Sequence, residues 1–431
     1  MSATNSDTSA HFTPVENLQQ STECPAVQRV LRANFRRSQR LMQLTSFALV
    51  FPLFLYLLTV FAIPIVKMTE KSVDNSAIVH NLPATLPLLR DWRGGALPDD
   101  RTFAALAADL DAAANAQTIG DLSGRLDQEI PGFRGLLSKT VRHLPLDTSA
   151  RSSREALIAI DSRWSEVNYW SVIKRNDHML TGSFLLAAVD HRTDPSGTIV
   201  PVATDQRVFV SIFGRTFWMA AVVTVLCLLL AYPLAYLLST ISPRNSNLLM
   251  ICVLLPFWTS LLVRTTAWIV LLQRGGIVNS ALQSLGLIDA PIQMIFNRSG
   301  VYVAMVHILL PFMILPLYSV MKSISPAYVR AAVSLGCSPV ASFWRIYVPQ
   351  TYGAVGAGTL LVFILSIGYY ITPALVGGPD DQMVSYFVAF YTNVTTNWGM
   401  ATALGSLLLV ATLLLYGVYA RLAGANRSRA S

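Results

Sequence analysis

Residues 215–239 read RTFWMAAVVTVLCLLLAYPLAYLLS, and after Arg215 the stretch holds no Asp, Glu, Lys or Arg. A helix rises about 1.5 Å per residue, so an uncharged run of this length crosses a hydrocarbon core of about 30 Å. Working outward, five more apolar runs appear: roughly 44–66, 247–272, 300–321, 353–376 and 399–421. The sequence therefore predicts an all-α membrane protein with six transmembrane helices. The first run is too long and too far from the N-terminus for a cleaved signal peptide, and reads as an anchored helix.

Composition agrees. Of 431 residues, 53% are hydrophobic and only 13% charged, and mean hydropathy is +0.48. Charges are costly in hydrocarbon, whereas a soluble surface needs more of them. The net charge of +8 fits basic flanks beside membrane spans better than a nucleic-acid face, because many of the basic residues cluster at those flanks. Cys24, Cys227, Cys252 and Cys337 imply neither a disulfide framework nor a zinc site, and the six histidines are scattered.

Residues 1–43 form a tail, rich in Ser, Thr, Asn and Gln to residue 28 and then basic at Arg29, Arg32, Arg36, Arg37 and Arg40. The first span is set at 44–66. Residues 67–206 are different material: from 68 to 206 there are 14 Lys and Arg against 18 Asp and Glu. Phe103, Leu106 and Leu110 recur at helical spacing, with Asp99 and Asp100 as candidate N-caps. Pro131 opens a second pattern through Phe133, Leu136, Leu137, Val141 and Leu144, and a third runs through Leu157, Ile160, Trp164 and Val167. Strand patterns are scarce, so the expectation is a mostly α-helical insert after the first membrane helix, large enough for its own core. The five-helix portion, 207–425, holds a polar loop at 323–350, and residues 426–431 form a second tail.

Basic residues set the orientation. The N-terminal flank has five Arg; Lys322, Arg330 and Arg345 mark the 323–350 loop; Arg421, Arg427 and Arg429 mark the C-terminus. The 274–299 loop has only Arg274 and Arg298, and 377–398 has no Lys or Arg. Both termini and the 323–350 loop are thus expected in the cytoplasm, and the insert outside, in the periplasm. Trp218, Trp268 and Trp398 suit span ends as interfacial aromatics.

Residues 330–350, RAAVSLGCSPVASFWRIYVPQ, lie in that cytoplasmic loop. They resemble the loop by which bacterial ABC-importer permeases grip their ATPase: Glu-Ala-Ala, three residues, Gly, nine residues, Ile, one residue, Leu-Pro. Ala331, Ala332, Gly336, Ile346 and Pro349 keep the spacing, while Arg330 replaces Glu and Val348 replaces Leu. Small alanines allow close approach, Gly336 permits a sharp turn out of a helix, and Pro349 restarts the chain at the next span. In the family the Glu helps position this helix against the ATPase; Arg330 reverses that charge. Residues 215–239, 256–288 (PFWTSLLVRTTAWIVLLQRGGIVNSALQSLGLI) and 371–379 (ITPALVGGP) are similar to permeases of the spermidine/putrescine type. The resemblance covers 206–425 and not the insert.

The resemblance implies a permease subunit in a bacterial inner membrane that does no covalent chemistry and holds no cofactor. ATP and Mg would sit on a partner ATP-binding subunit, solute would arrive on a periplasmic binding protein, and the pore would form with a second permease or a copy of this chain. Solute would be a polyamine or a related small organic compound. No GxxxxGK[ST] occurs, so the chain has no P-loop, and Gly353, Gly356 and Gly358 are better read as close helix packing.

Candidate pathway residues are Arg264, Tyr369, Tyr370, Asp380 and Asp381. An intramembrane Arg264 normally faces a cavity or a partner, or is bonded structurally to helix carbonyls. Tyr369 and Tyr370 stand between Gly368 and Pro373, where the fifth helix should be interrupted, and their aromatic faces suit a cation. Asp380 and Asp381 fall at the external mouth, either drawing a cation or simply solvated. His307 reads as a packed, hydrogen-bonded side chain. The alternative is an ion-driven carrier or channel, but the halves show no clear inverted repeat and spans two to six hold no carboxylate for a proton relay. A sensor would want a cytoplasmic output domain, and the longest cytoplasmic piece after the first span is only the 323–350 loop. The insert's role stays open between docking the binding protein, contacting the second permease and bracing the outer face, with docking favoured.

Overall fold

The structure is a computed structural model that describes residues 42, 45, 48–146, 152–194 and 197–428. The basic tail expected over 1–43 falls almost wholly outside these residues, as do residues 429–431. The chain divides into two compact units, Met1–Lys67 and Met68–Ser431. Among the described residues, six stretches are long and apolar enough to cross a membrane: Ala48–Lys71, Phe209–Thr240, Leu261–Ser284, Arg298–Ser323, Pro339–Gly368 and Trp398–Arg421. The first, α1, contains a π turn at Leu58–Ala62.

Seven helices of the insert are α2 (Ser76–Asn81), α3 (Thr85–Asp91), α4 (Asp100–Asn115), α5 (Ile119–Glu129), α6 (Phe133–Val141), α7 (Ser153–Ile160) and α8 (Val167–Arg175). Asp99 caps α4 by accepting the Thr102 N–H, as the sequence suggests. Phe103, Leu106 and Leu110 are buried on one face of α4 against Leu122, Leu126, Phe133, Leu136, Leu137 and Leu157. Trp170 closes this core, its ring 4.4 Å from Phe103 and 5.4 Å from Trp164. Both indoles bury without stranding a donor: Trp164 donates to Thr140 Oγ1 and Trp170 to the Trp164 carbonyl, each at 3.0 Å.

The expected single helix through Leu157 and Val167 is instead three pieces, α7, a 3₁₀ turn (Ser162–Ser165) and α8. Asp161 makes the break. Its backbone is extended, and its carboxylate takes bonds from Arg163, at the backbone N–H and the guanidinium, and from Lys139. The Arg163 hydrogen bonds, with Lys139 adding to them, hold the Asp161 carboxyl well below the usual range.

A short helix α9 (Ser183–Ala187) and a hairpin, β1 (His191–Thr193) with β2 (Ile199–Pro201), lead into α10 (Phe209–Thr240). Asp190, buried and at φ 58°, lies between them. Its carboxylate accepts the N–H groups of Val208 and Phe209 (both 3.0 Å) and Val210 (2.8 Å), satisfying the first turn of α10.

Then follow α11 (Pro243–Leu254), α12 (Leu261–Leu272), α13 (Ile277–Ser284), α14 (Arg298–Ser323), α15 (Pro326–Ser334), α16 (Pro339–Gly368), α17 (Ile371–Val376), α18 (Val384–Asn393) and α19 (Trp398–Ser428). A stripe on α10, Met219, Val223, Cys227, Ala231, Ala235 and Leu238, is fully buried against α14 and α16. Small side chains let these helices approach closely, which is how helices associate where lipid is as apolar as Leu. A Cβ at Gly358 would stand 2.8 Å from Met313 Sδ, and one at Gly356 2.9 Å from Tyr419 Cε2, so both glycines serve packing; Gly353 has open space.

Two spans differ from expectation. The run 247–272 is not one helix: Pro256 lies in a 3₁₀ turn, Leu255–Trp258, and Thr259 and Ser260 are extended before α12 begins. Proline removes an N–H and crowds the preceding turn. The fifth run opens earlier, through a π turn at Phe343–Tyr347, and breaks at Tyr369. The 377–398 loop contains α18, whose Val384, Phe387, Val388 and Tyr391 pack with Phe209, Ile212 and Met400.

Replacing Asp190 by Ala should lower stability by about 0.5–2 kcal/mol, the range for a lost N-cap. Asn, which tolerates positive φ and keeps one acceptor, should lose less. Thermal unfolding of the purified chain distinguishes the two.

Candidate functional site

The 330–350 segment is built to protrude. Ser325 caps α15 through the Ala327 N–H, and Pro326 occupies the first turn. At the other end the Cys337 N–H donates to the Ala332 carbonyl and the Gly336 N–H to Val333, both at 3.0 Å. That pair of bonds needs a left-handed residue, and Gly336 has φ 94°. Arg330, Ala331 and Gly336 are exposed, with Ala332 half-buried. Around them stand exposed apolar side chains, Tyr328, Val333, Val340, Trp344 and above all Leu335 at 89% exposure.

The protruding turn is anchored at its base. Ser342, buried, donates to the Val329 carbonyl and ties α16 to α15. Phe343 and Tyr347 stack at 5.5 Å, and both pack edge-on against Tyr236 of α10, at 5.2 and 5.3 Å. Pro349 does not restart a helix, contrary to the sequence reading. The helix is continuous from Pro339 to Gly368, and the π turn just before Pro349, closed by the Val348 N–H to Phe343 O, makes room for its ring. Ile346 lies within that turn, at the edge of the exposed face.

The pathway candidates separate into two groups. Arg264 sits one turn past the 255–260 break, its backbone N–H donating to Ser260 O. Its Nε is buried with no hydrogen-bond partner among the described residues, so bonding to helix carbonyls does not account for it. Trp268, one turn along from Arg264, donates Nε1–H to His307 Nδ1 at 3.2 Å, so His307 is packed and bonded. Thr265 and Thr372 hydroxyls meet at 3.5 Å. Tyr369 and Tyr370 form the non-helical step between α16 and α17, Tyr369 half-buried and Tyr370 exposed.

Asp380 and Asp381 belong elsewhere. Asp381 is buried and paired with Arg298 at 2.9 Å, while its other oxygen accepts the Gly378 N–H. Arg215 of α10 donates to the Asp380 and Gln382 carbonyls. The reading of two solvated acids, or of a cation trap, is therefore corrected for Asp381: its charge is neutralised, and it pins the loop to the start of α14. Neither Arg215 nor Arg298 was recognisable as a partner, because each lies far away in sequence. Asp381→Ala should destabilise the chain by about 1–3 kcal/mol, chiefly through the buried Gly378 N–H left without its acceptor. Asp380→Ala, which removes an exposed carboxylate with no side-chain hydrogen bond among the described residues, should cost far less and shift the melting temperature by only about a degree.

Comparison with known proteins completes the picture. Residues 228–427 match the family described as binding-protein-dependent transport system inner membrane component. The spermidine/putrescine transport system permease protein PotB of Haemophilus influenzae is 34% identical over 226 residues, 52% of this chain and 79% of that protein. PotB of Escherichia coli is 34% identical over 46% of this chain and 72% of its own length. The inner membrane ABC transporter permease protein YdcU of the same species is 31% identical over 49% and 71%. Among solved structures, a bacterial alginate ABC transporter in complex with an alginate pentasaccharide-bound periplasmic protein aligns at 17% identity and a TM-score of 0.42, over 49% of this chain and 76% of that one. A multi-pass helical chain 34% identical to PotB over most of PotB's length is not an isolated likeness: the chain belongs to the family of binding-protein-dependent transport system inner membrane components, the permease subunits of ABC importers.

Proposed function

We propose that this permease passes a polyamine, or a closely related small organic solute, across the inner membrane, driven by an ATP-binding subunit seated on α15 and the turn at Gly336. The observation that carries this reading is the exposed apolar face around Leu335, mounted on an aromatic clamp to α10 and α16. A surface of this kind at the end of rigid helices suits the transmission of a partner's motion. The solute class follows the spermidine/putrescine names of the similar permeases.

In this account α15 and both termini face the cytoplasm, as the distribution of Arg and Lys favours. The helical insert faces the periplasm, where a solute-binding protein docks. A second permease, related or identical, completes the pore. Nucleotide binding closes two ATP-binding subunits, the clamp carries that movement into α10 and α16, and the helices change access. The breaks at 255–260 and 369–370 lie beside Arg264 and Tyr369. Non-helical backbone at membrane depth is tolerated where it is buried in protein or lines a water-filled cavity, which suits a pathway there. Arg264 and Tyr369 line it, with Tyr370 following at the break. Arg330 meets an acidic counterpart on the ATP-binding subunit in place of the basic one that a Glu would select.

The test is ATP hydrolysis by the assembly in nanodiscs, with the ATP-binding subunit, the second permease and a spermidine-loaded binding protein. Hydrolysis should rise only when the loaded binding protein is present. Gly336→Val, forced into φ 94°, costs about 1–2 kcal/mol at the turn and should cut that stimulation severalfold. Gly336→Asn, which tolerates the left-handed region, should keep most of it. Solute movement by this chain alone, indifferent to ATP and to Gly336, contradicts the proposal.

A further inference from the structure

Between the insert and the start of α19 lies a cleft of about 760 Å³, within the size range of small-molecule sites. Its back wall is a charged triad. Glu129 accepts from Arg125 Nη2 on one oxygen (2.9 Å) and from Arg175 Nη2 on the other (2.8 Å). Arg125, 6% exposed, also donates to Asn75, Asn176 and Ser183. Two guanidinium groups thus share one carboxylate, leaving one positive charge in excess. Arg192 and Asp194 also line the cleft and add one charge of each sign. Asn397, which caps α19 by accepting the Met400 N–H, lies on the opposite wall, so the positive end of that helix adds to the potential. Gln128, Asn168 and Gln206 line the cleft with carboxamides that make no side-chain hydrogen bond among the described residues.

Removing charge from water without a counter-ion is expensive, and the cost is met here only in part. Burial lowers the Arg125 pKa even with Glu129 beside it; at Glu129 burial acts upward, but Arg125 and Arg175 outweigh it and hold the carboxyl low. Because an arginine keeps its proton in proteins, the triad of two guanidinium groups and one carboxylate carries one positive charge in excess.

We propose that this cleft binds a small organic carboxylate, which pairs with Arg175 and bridges the insert to the first turn of α19. Arg175 is suited to the contact: it lines the cleft and keeps partial exposure. Although Nη1 donates to the Thr193 carbonyl (3.0 Å) and Nη2 to Glu129, a guanidinium has five N–H donors, so some remain for a carboxylate. The site is distinct from the pathway cluster at Arg264, so the proposal stands or falls separately from the transport reading. A bound anion would stabilise the junction between insert and α19 by occupying both walls.

The experiment is binding to the full-length chain in nanodiscs, by calorimetry and thermal shift, with succinate, inorganic phosphate and putrescine as separate probes. Succinate should bind and raise the melting temperature. Arg175→Gln should weaken it roughly tenfold. Glu129→Gln, which doubles the excess charge, should tighten it, and this variant decides the matter if Arg175→Gln fails to fold. Arg264→Gln should leave succinate binding unchanged. Binding of putrescine alone or phosphate alone, succinate binding indifferent to Arg175, weaker binding in Glu129→Gln, or no binding by any probe overturns the proposal.

Discussion

Close packing along α10 is the constraint on which the rest of residues 68–431 depends. The helix has 32 residues, about 48 Å at 1.5 Å per residue. Its middle carries the Cys227, Ala231 and Ala235 stripe that admits α14 and α16. Larger side chains there would separate the helices, and dispersion contact is the main attraction in a setting where lipid offers no hydrophobic gain. Its first turn is held by the Asp190 carboxylate, and its other end carries Tyr236, on which Phe343 and Tyr347 rest. One helix therefore connects the insert at one end with the α15 turn at the other. Arg215 and Thr216 fasten the 380–384 loop to the same helix.

The junction between insert and bundle is packed, not tethered. Phe184 of α9 fills the space beside Gly399, where any Cβ would collide with its ring. Arg125 lies over the other aspect of that ring, 4.6 Å from its centre. Ala188, Ile212, Val384 and Leu404 complete an apolar cluster drawn from the insert, α10, α18 and α19. A body held in this way moves with the ends of α10 and α19. That gives the docking role proposed for the insert a physical route into the bundle, because force applied to the insert reaches α10, which also carries the clamp.

Much of this was legible in the sequence because it rests on local patterns. Uncharged runs marked the spans, helical spacing marked the Phe103 face, and Gly336 marked a left-handed turn. What was missed depends on contacts distant in the chain or on local breaks that periodicity does not register. Pro256 interrupts a run that stays apolar throughout, so hydropathy alone reads 247–272 as one helix. Asp161 ends α7 through bonds to Arg163 and Lys139, while the apolar positions continue in phase across it. Helix α18 hides among aromatics in a stretch judged only by its lack of charge. Asp381 is decided by Arg298, 83 residues away. The same limit applies to Arg264: its type and span were plain, but His307, which accepts from Trp268 one turn along, comes from another helix.

The claim that matters most is that the face around Leu335 receives the ATP-binding subunit, and proximity tests it directly. A single cysteine at Leu335, on a background lacking the native cysteines, would be probed with short bifunctional crosslinkers in the assembled importer. A second variant would carry its cysteine on the insert, at the exposed Leu88. The account expects the Leu335 position to crosslink to the ATP-binding subunit, with a yield that changes between nucleotide-free and ATP-bound states, and the Leu88 position not to. Crosslinking of that subunit at Leu88, or none at Leu335 in any nucleotide state, would contradict it.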